Sequence, residues 1–379
     1  MNISEQVTIS LIRKGLWNTA TVIPEGFKDW KGVVKVAQSQ SVLGTVGHAV
    51  LSKDFEGDIS QELKDKLRMY LMRNAVVSNA LEVALVQVVS TLREQGISSV
   101  LLKGQGNAQY YPFSEMRQCG DVDLYIGQEN YEKAYDILKS VASDIDDKKA
   151  LTRGKHFHMG LGKVRFDIHR FSGLYTLPGY NRKYQEESDK GLTDRLVEIS
   201  FRDTSVMTPS DEFNAYYIFN HLFNHFMTSG IGLRHLCDLM LFLHCKAGSL
   251  DLVELKRILV KMDMLYTWQV FGNVLVKYLG MNTDEFPFYV EVSDKKADKV
   301  LAHILKEGNF GRDTDYYKRK RGSYCRRKFN SLKWYCARSF NLFVLFPKQS
   351  LRNLLNMMSL GVLIIGRDIR RVFKKDADK

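Results

Sequence analysis

The sequence predicts an α+β protein: a small mixed β-sheet core flanked by helices and continued by an all-helical region. Three observations carry this. From about residue 60 to 95, apolar residues recur at steps of three and four, which is helical periodicity. Short runs of strand patterning follow at 97–102, 121–126, 156–161 and 164–169, bounded by turn residues. Beyond Thr208 the helical period returns. At 379 residues and 45% hydrophobic content, the chain has room for two domains or one elaborated domain. It divides into an N-terminal helical region (1–60), an α/β core (61–200), a helical domain (201–310) and a basic, partly apolar C-terminal segment (311–379).

In the first region Trp30, Val33, Val34, Val36 and Ala37 sit at helical spacing. The long helix carries Leu63, Leu67, Tyr70, Leu71, Val77, Leu81, Leu85, Val88 and Leu92, and Gly96 ends it. The strand at 97–102 runs into the turn Lys103-Gly104-Gln105-Gly106, with one helical turn expected over 107–111. After the turn-rich 112–120 comes the strand at 121–126, then a helix over 131–142. Gly162-Lys163 separates two short runs as a two-residue hairpin turn does. Thr208-Pro209-Ser210-Asp211-Glu212 reads as a helix start, with Thr208 as cap and acids in the first turn. Helices are then expected through His221 and His225, over 233–245, and onward to about 307.

The net charge of +12 is unevenly spread. Residues 312–379 hold eighteen Lys/Arg against five Asp/Glu, a net +13, so the rest of the chain is at −1. Basicity confined to one segment points to a polyanion, either nucleic acid or an anionic membrane face. In that segment Lys318-Arg319-Lys320-Arg321 and Arg326-Arg327-Lys328 are interleaved with aromatics. Five scattered cysteines without a CxxC pair argue against a disulfide framework or a structural zinc. The N-terminus lacks the apolar core of a signal peptide. The uncharged apolar stretch 353–366 is shorter than the ~20 residues that span a bilayer. The expectation is a cytoplasmic protein, peripheral at a membrane if the C-terminal segment binds one.

In Asp121-Val122-Asp123-Leu124-Tyr125-Ile126, side chains alternate across the sheet. Val122, Leu124 and Ile126 face a core, which leaves Asp121 and Asp123 on the opposite face. Carboxylates that close repel, and a divalent cation removes the penalty. Oxygen-only ligands suit Mg²⁺ or Mn²⁺ rather than zinc. In Val164–His169 the apolar residues are Val164, Phe166 and Ile168, with Arg165, Asp167 and His169 on the other face. If this arm pairs beside the first strand, Asp167 joins Asp121 and Asp123, and three carboxylates can hold two metals. A lone DxD is common on solvated strands; the third acid and the upstream turn weigh against that reading. That turn, Lys103-Gly104, presents backbone N–H groups and an ammonium to phosphate, and Arg117 is a second candidate phosphate ligand.

Leu102-Lys103-Gly104, Arg117, Gly120-Asp121-Val122-Asp123-Leu124 and Phe166-Asp167-Ile168-His169 together resemble the polymerase-β-type nucleotidyltransferase superfamily. More narrowly, the chain is similar to a bacterial family of uncharacterised nucleotidyltransferases. The likeness continues through His221-Leu222-Phe223-Asn224-His225 and Gly232-Leu233-Arg234-His235-Leu236-Cys237-Asp238, and spans roughly residues 30–245. It implies that Asp121, Asp123 and Asp167 are catalytic metal ligands for Mg²⁺ or Mn²⁺. It also implies that Gly104 sits under the nucleotide phosphates and that Arg234 faces the nucleotide; with Lys103 and Arg117 these are the candidate ligands of a nucleoside triphosphate, ATP among the candidates. The usual Gly-Gly or Gly-Ser turn is replaced by Lys103-Gly104-Gln105, and the gap to Asp121 is longer than common. Both departures resemble a toxin-like branch with a lysine–glycine turn, and they leave the phosphate grip less defined than the metal site.

Other residues read less sharply. His221 and His225 share a helix face, but HLFNH lacks the glutamate of a zinc HExxH, so substrate contact or a buried network is expected. Arg234 and Asp238 are spaced for a helix salt bridge, and His156 and His158 for a cleft-lining strand. The expected reaction moves an NMP group from an NTP to an acceptor hydroxyl and releases pyrophosphate. The acceptor is open: RNA, protein, a small molecule or a glycan precursor. The alternatives are a DxD glycosyltransferase, which does not need Asp167, and a non-catalytic nucleotide or RNA binder.

Overall fold

The computed structural model describes residues 1–152, 154–312 and 323–361. Seven strands form one mixed sheet: β1 (Val100–Leu102), β2 (Val122–Tyr125), β3 (Asp144–Ile145), β4 (His156–Leu161), β5 (Val164–His169), β6 (Val197–Phe201) and β7 (Thr204–Thr208), in the order β3-β4-β5-β2-β1-β7-β6. The helices in chain order are α1 (Ile3–Trp17), α2 (Trp30–Ser39), α3 (Leu43–Leu51), α4 (Gln61–Glu94), α5 (Gln105–Ala108), α6 (Tyr131–Leu138), α7 (Pro178–Thr193), α8 (Asp211–Thr228), α9 (Leu233–Cys245), α10 (Leu252–Lys261), α11 (Leu265–Leu279), α12 (Asp294–Glu307) and α13 (Tyr324–Phe343). A further helix covers 347–361.

The long helix forms as its periodicity dictates. Ser60 caps it by accepting from the Leu63 N–H, and Gly96, at φ +72°, lets the chain turn back. One side of α4 (Leu81, Leu85, Val88 and Leu92) packs under the sheet with α6 and the buried faces of β2 and β5. By length and composition α4 is also the one described helix apolar enough to cross a membrane, with about 39% of its apolar window buried. Glu82 interrupts its uncharged run.

The hairpin β4–β5 falls on the expected residues, with Gly162 at φ +59° as a II′ turn requires. A second hairpin, β6–β7, was not anticipated. Its turn residues Arg202 and Asp203 both take positive φ (47° and 64°), as a I′ turn demands, but neither is the glycine or asparagine that signals one. β7 pairs in parallel with β1. The sheet therefore runs past residue 200 to Thr208. Thr208 ends that strand and bonds the Val197 carbonyl, so the cap of α8 is Ser210.

The apolar packing crosses the four segments. α1–α3, α8–α12 and Leu342, Leu345 and Phe346 of the C-terminal segment all enter one apolar cluster, with Leu67 of α4 and Val100 and Leu102 of β1, while the second half of α4, α6 and the other face of the sheet form the other. α13 is pinned to α8 by a Trp334 Nε1–Thr228 O bond (3.1 Å) and by Arg338, which is buried against Glu307 and the Phe226 carbonyl. The Lys318–Arg321 cluster lies outside the described residues.

Candidate active site

The decisive placement is the register of β2 against β5. They run parallel, with Val122 beside Phe166, Asp123 beside Asp167 and Leu124 beside Ile168. The apolar members are fully buried beneath the sheet. By the same alternation both aspartates rise on the other face. β4 adds His158 opposite Asp167 and His156 opposite His169. Asp121 stands just before β2 and lines the same cavity of about 630 Å³. The structure thus brings Asp121, Asp123 and Asp167 to one chamber, together with Lys103, Gly104, Lys155, Arg165 and Arg234.

Asp123 is the hub. His169 Nε2 lies 2.9 Å from its Oδ1, and Lys103 Nζ 3.0 Å from its Oδ2. Burial opposes a charge there, but the Lys103 ammonium and the His169 bond outweigh it and hold this carboxyl well below the usual range. Oδ2 has an ionic neighbour and no aligned hydrogen bond, so it keeps a lone pair that a cation can use. Asp121 is pushed the other way, by burial and then by the Asp123 charge. A carboxyl raised by a like-charged neighbour is relieved by a divalent ion, so the donor set fits one. Asp123, Asp167 and His169 present ligand atoms within 4.8 Å of one another.

Imidazole nitrogens stand beside these carboxylates. His158 Nδ1 is 2.6 Å from Asp167 Oδ1, and His156 Nε2 is 3.8 Å from Oδ2. Burial, then the neighbouring His169, lowers the His156 pKa to about 4, and burial likewise lowers that of His169. Both rings are neutral near pH 7.

Gly104 sits at φ +51°, ψ −119°, a conformation that excludes side chains, and a Cβ there would press to 3.3 Å on the Asp121 carbonyl. It is the floor of the chamber. Lys103, expected to reach phosphate, faces Asp123 instead. Arg117, also expected on phosphate, lines the cavity, but its guanidinium is engaged within the protein. Its Nε and Nη2 each bond Asp238 at 2.8 Å, its Nη1 lies 2.7 Å from Cys119 Sγ, and Tyr111 OH donates to the same carboxylate at 2.8 Å. This buried cluster clamps the 103–120 connection to α9. Asp238 is held below its usual range because Arg117 outweighs burial. Asp238 is therefore taken, and Arg234 donates to the Gln118 carbonyl while lining the cavity.

The opposite wall is helical. His221 and His225 (ring centres 4.5 Å apart) and His235 form a cluster closed by the edge of Phe310. Burial keeps all three rings neutral, and the positive charges of Lys103 and Arg234 reinforce it. No described group of three metal-ligating residues includes them. The rings pack on one another, while His225 Nδ1 lies 3.0 Å from Ser229 Oγ and His235 Nδ1 3.3 Å from the Gly232 carbonyl. Sequence reasoning missed Lys155, which is largely buried beside the acids with its pKa lowered by burial and by Lys103. Its only signal was its place at the start of the β4 arm.

The model of a family described as uncharacterised nucleotidyltransferase matches residues 27–267. No curated protein matches the chain. Among solved structures, it is similar to an antigenic nucleotidyltransferase-like protein from Paracoccidioides brasiliensis, with 11% identity, 56% of this chain and 94% of that chain covered, and a TM-score of 0.34.

Proposed function

The chain belongs to the uncharacterised nucleotidyltransferase family, and from that premise we propose that the Asp123–Asp167 chamber moves an NMP group from an NTP to an acceptor hydroxyl. The observation that supports this best is the side-by-side register of Asp123 and Asp167 on parallel strands, with Asp121 at the same mouth. These three carboxylates would hold Mg²⁺ or Mn²⁺. When bound, such ions neutralise phosphate charge and favour the ionised acceptor. The protein's own groups do the rest. Gly104 lets a phosphate approach the backbone, and Lys155, Arg165 and Arg234 supply cationic wall. Lys103 keeps Asp123 ionised. Asp167 takes the acceptor proton as the new O–P bond forms and pyrophosphate departs.

The test is incubation with each α-labelled NTP, Mg²⁺ or Mn²⁺ and cell extract. Metal-dependent labelling of an acceptor with pyrophosphate release supports the reading. Transfer from a nucleotide-sugar instead, retained in Asp167→Ala, would turn the assignment to glycosyl transfer. The acceptor class is RNA, protein, small molecule or glycan precursor, and the basic segment 312–379 is assigned to a polyanionic partner, RNA or an anionic bilayer. Changing Lys318, Arg319, Lys320 and Arg321 to Ser should then weaken low-salt binding to one of these. Unchanged binding to both removes that assignment.

A further inference from the structure

We propose that His156, His158 and Asp167 form a divalent metal site with nitrogen ligands, so that the chamber selects an ion of the Mn²⁺ or Co²⁺ class over Mg²⁺. This deepens the nucleotidyl-transfer reading by naming the metal class, and it shares only Asp167 with it.

The geometry is set by the β4–β5 ladder. Residues 156 and 158 on one strand and 167 on its neighbour project from the same face, with His158 directly opposite Asp167. The two imidazoles and the carboxylate offer donor atoms within 4.8 Å of one another. A single ion can meet all three with small side-chain rotations. The His156 and His158 rings lie 4.6 Å apart at 65° to each other, so they do not stack and block that point. His156 Nδ1 is buried and has no hydrogen-bond partner among the described residues. Nε2, the other ring nitrogen, faces Asp167 Oδ2 at 3.8 Å. The site is also open: the His158 side chain is 50% exposed and that of Asp167 21%. Three protein ligands with solvent-facing positions leave room for water or a substrate oxygen.

The donor set decides the metal. Mg²⁺ sheds water reluctantly and takes oxygen ligands, whereas imidazole suits first-row transition ions. A site made only of Asp121, Asp123 and Asp167 would not discriminate in this way. With His156 and His158 added, affinity should rise from Mg²⁺ to Mn²⁺ to Co²⁺.

Pulsed EPR of the full chain loaded with Mn²⁺, without nucleotide, tests this directly. Coupling to directly bound ¹⁴N is expected in wild type and should be lost in His156→Gln/His158→Gln. Calorimetry should show Co²⁺ binding weakened roughly tenfold or more in that variant, with Mg²⁺ binding little changed. His158→Gln alone, at a half-exposed position, provides a version that folds even if the double variant does not. Absence of nitrogen coupling in wild type, or unchanged Co²⁺ affinity in the single and double variants, overturns the proposal. Because no NTP is present, a failed transfer assay leaves this result standing, and nitrogen-free metal binding leaves nucleotidyl transfer standing.

Discussion

The two walls of the chamber handle ionisable groups in opposite ways. On the strand wall, Asp123 stays charged because its neighbours carry compensating charge and donors: Lys103 at 3.0 Å and His169 at 2.9 Å. On the helix wall, His221, His225 and His235 lose their charge to burial. Between them the Tyr111–Asp238–Arg117 cluster binds one wall to the other. The difference teaches where chemistry can reside. A wall of fixed, opposed charges can hold a cation and steer phosphate, while a wall of neutral imidazoles can shape and orient without attracting ions.

The sharpest way to break this contrast is to neutralise the hub. Asp123→Asn should lower metal-dependent labelling roughly 10³-fold, about 4 kcal/mol of transition-state stabilisation, and weaken metal binding measured by calorimetry. Equal metal affinity in wild type and variant would remove Asp123 as a ligand. The next effect is on stability. Arg117→Met leaves Asp238 buried without its ionic partner, with only the Tyr111 hydroxyl still donating to it, and should cost about 3 kcal/mol in denaturant unfolding. An unchanged midpoint would mean that the clamp does not bind the walls. Gly104→Ala is strained by φ +51° and by the Asp121 carbonyl. It should cost about 1–3 kcal/mol and depress labelling more than it depresses stability, since Asp121 must shift.

The smallest effect separates the walls by pH. His235 is 5% exposed, and its folded pKa lies well below the ordinary 6.5. The unfolded chain therefore takes up this proton first as pH falls. Stability from the neutral ring is full above about 6.5 and declines as pH drops toward the folded value, by at most about 1.4 kcal/mol per pH unit. Urea unfolding at pH 7 and pH 5.5 should show a shallower decline in His235→Asn than in wild type. Equal slopes would mean that the helix wall is not neutral by burial.

Much of this was legible because it is local. Alternation in Val122–Tyr125 and Val164–His169 determines which residues share a face, whatever the strands pair with, and three-four periodicity determines the buried side of α4. Asp121, Asp123 and Asp167 could therefore be singled out, as could the hairpin whose turn contains glycine. The I′ turn at Arg202-Asp203 could not, since its backbone is held by the sheet around it rather than by its own residue types.

The tertiary structure alone decided everything that depends on which elements meet. Two arginines expected at the nucleotide went to different partners: Arg117, in a turn, onto Asp238, 121 positions away in sequence, and Arg234, on α9, to the Gln118 carbonyl. Pairing of β4 with β5 put His156 and His158 beside Asp167, so nitrogen donors stand next to that carboxylate. Docking of α13 carried Arg338, one of the excess basic residues, into a buried pair with Glu307. Sequence determines the face on which a side chain stands, because that follows from backbone geometry over a few residues. Whether a charge there meets a partner, a cation or water depends on long-range packing, and only the folded chain supplies it.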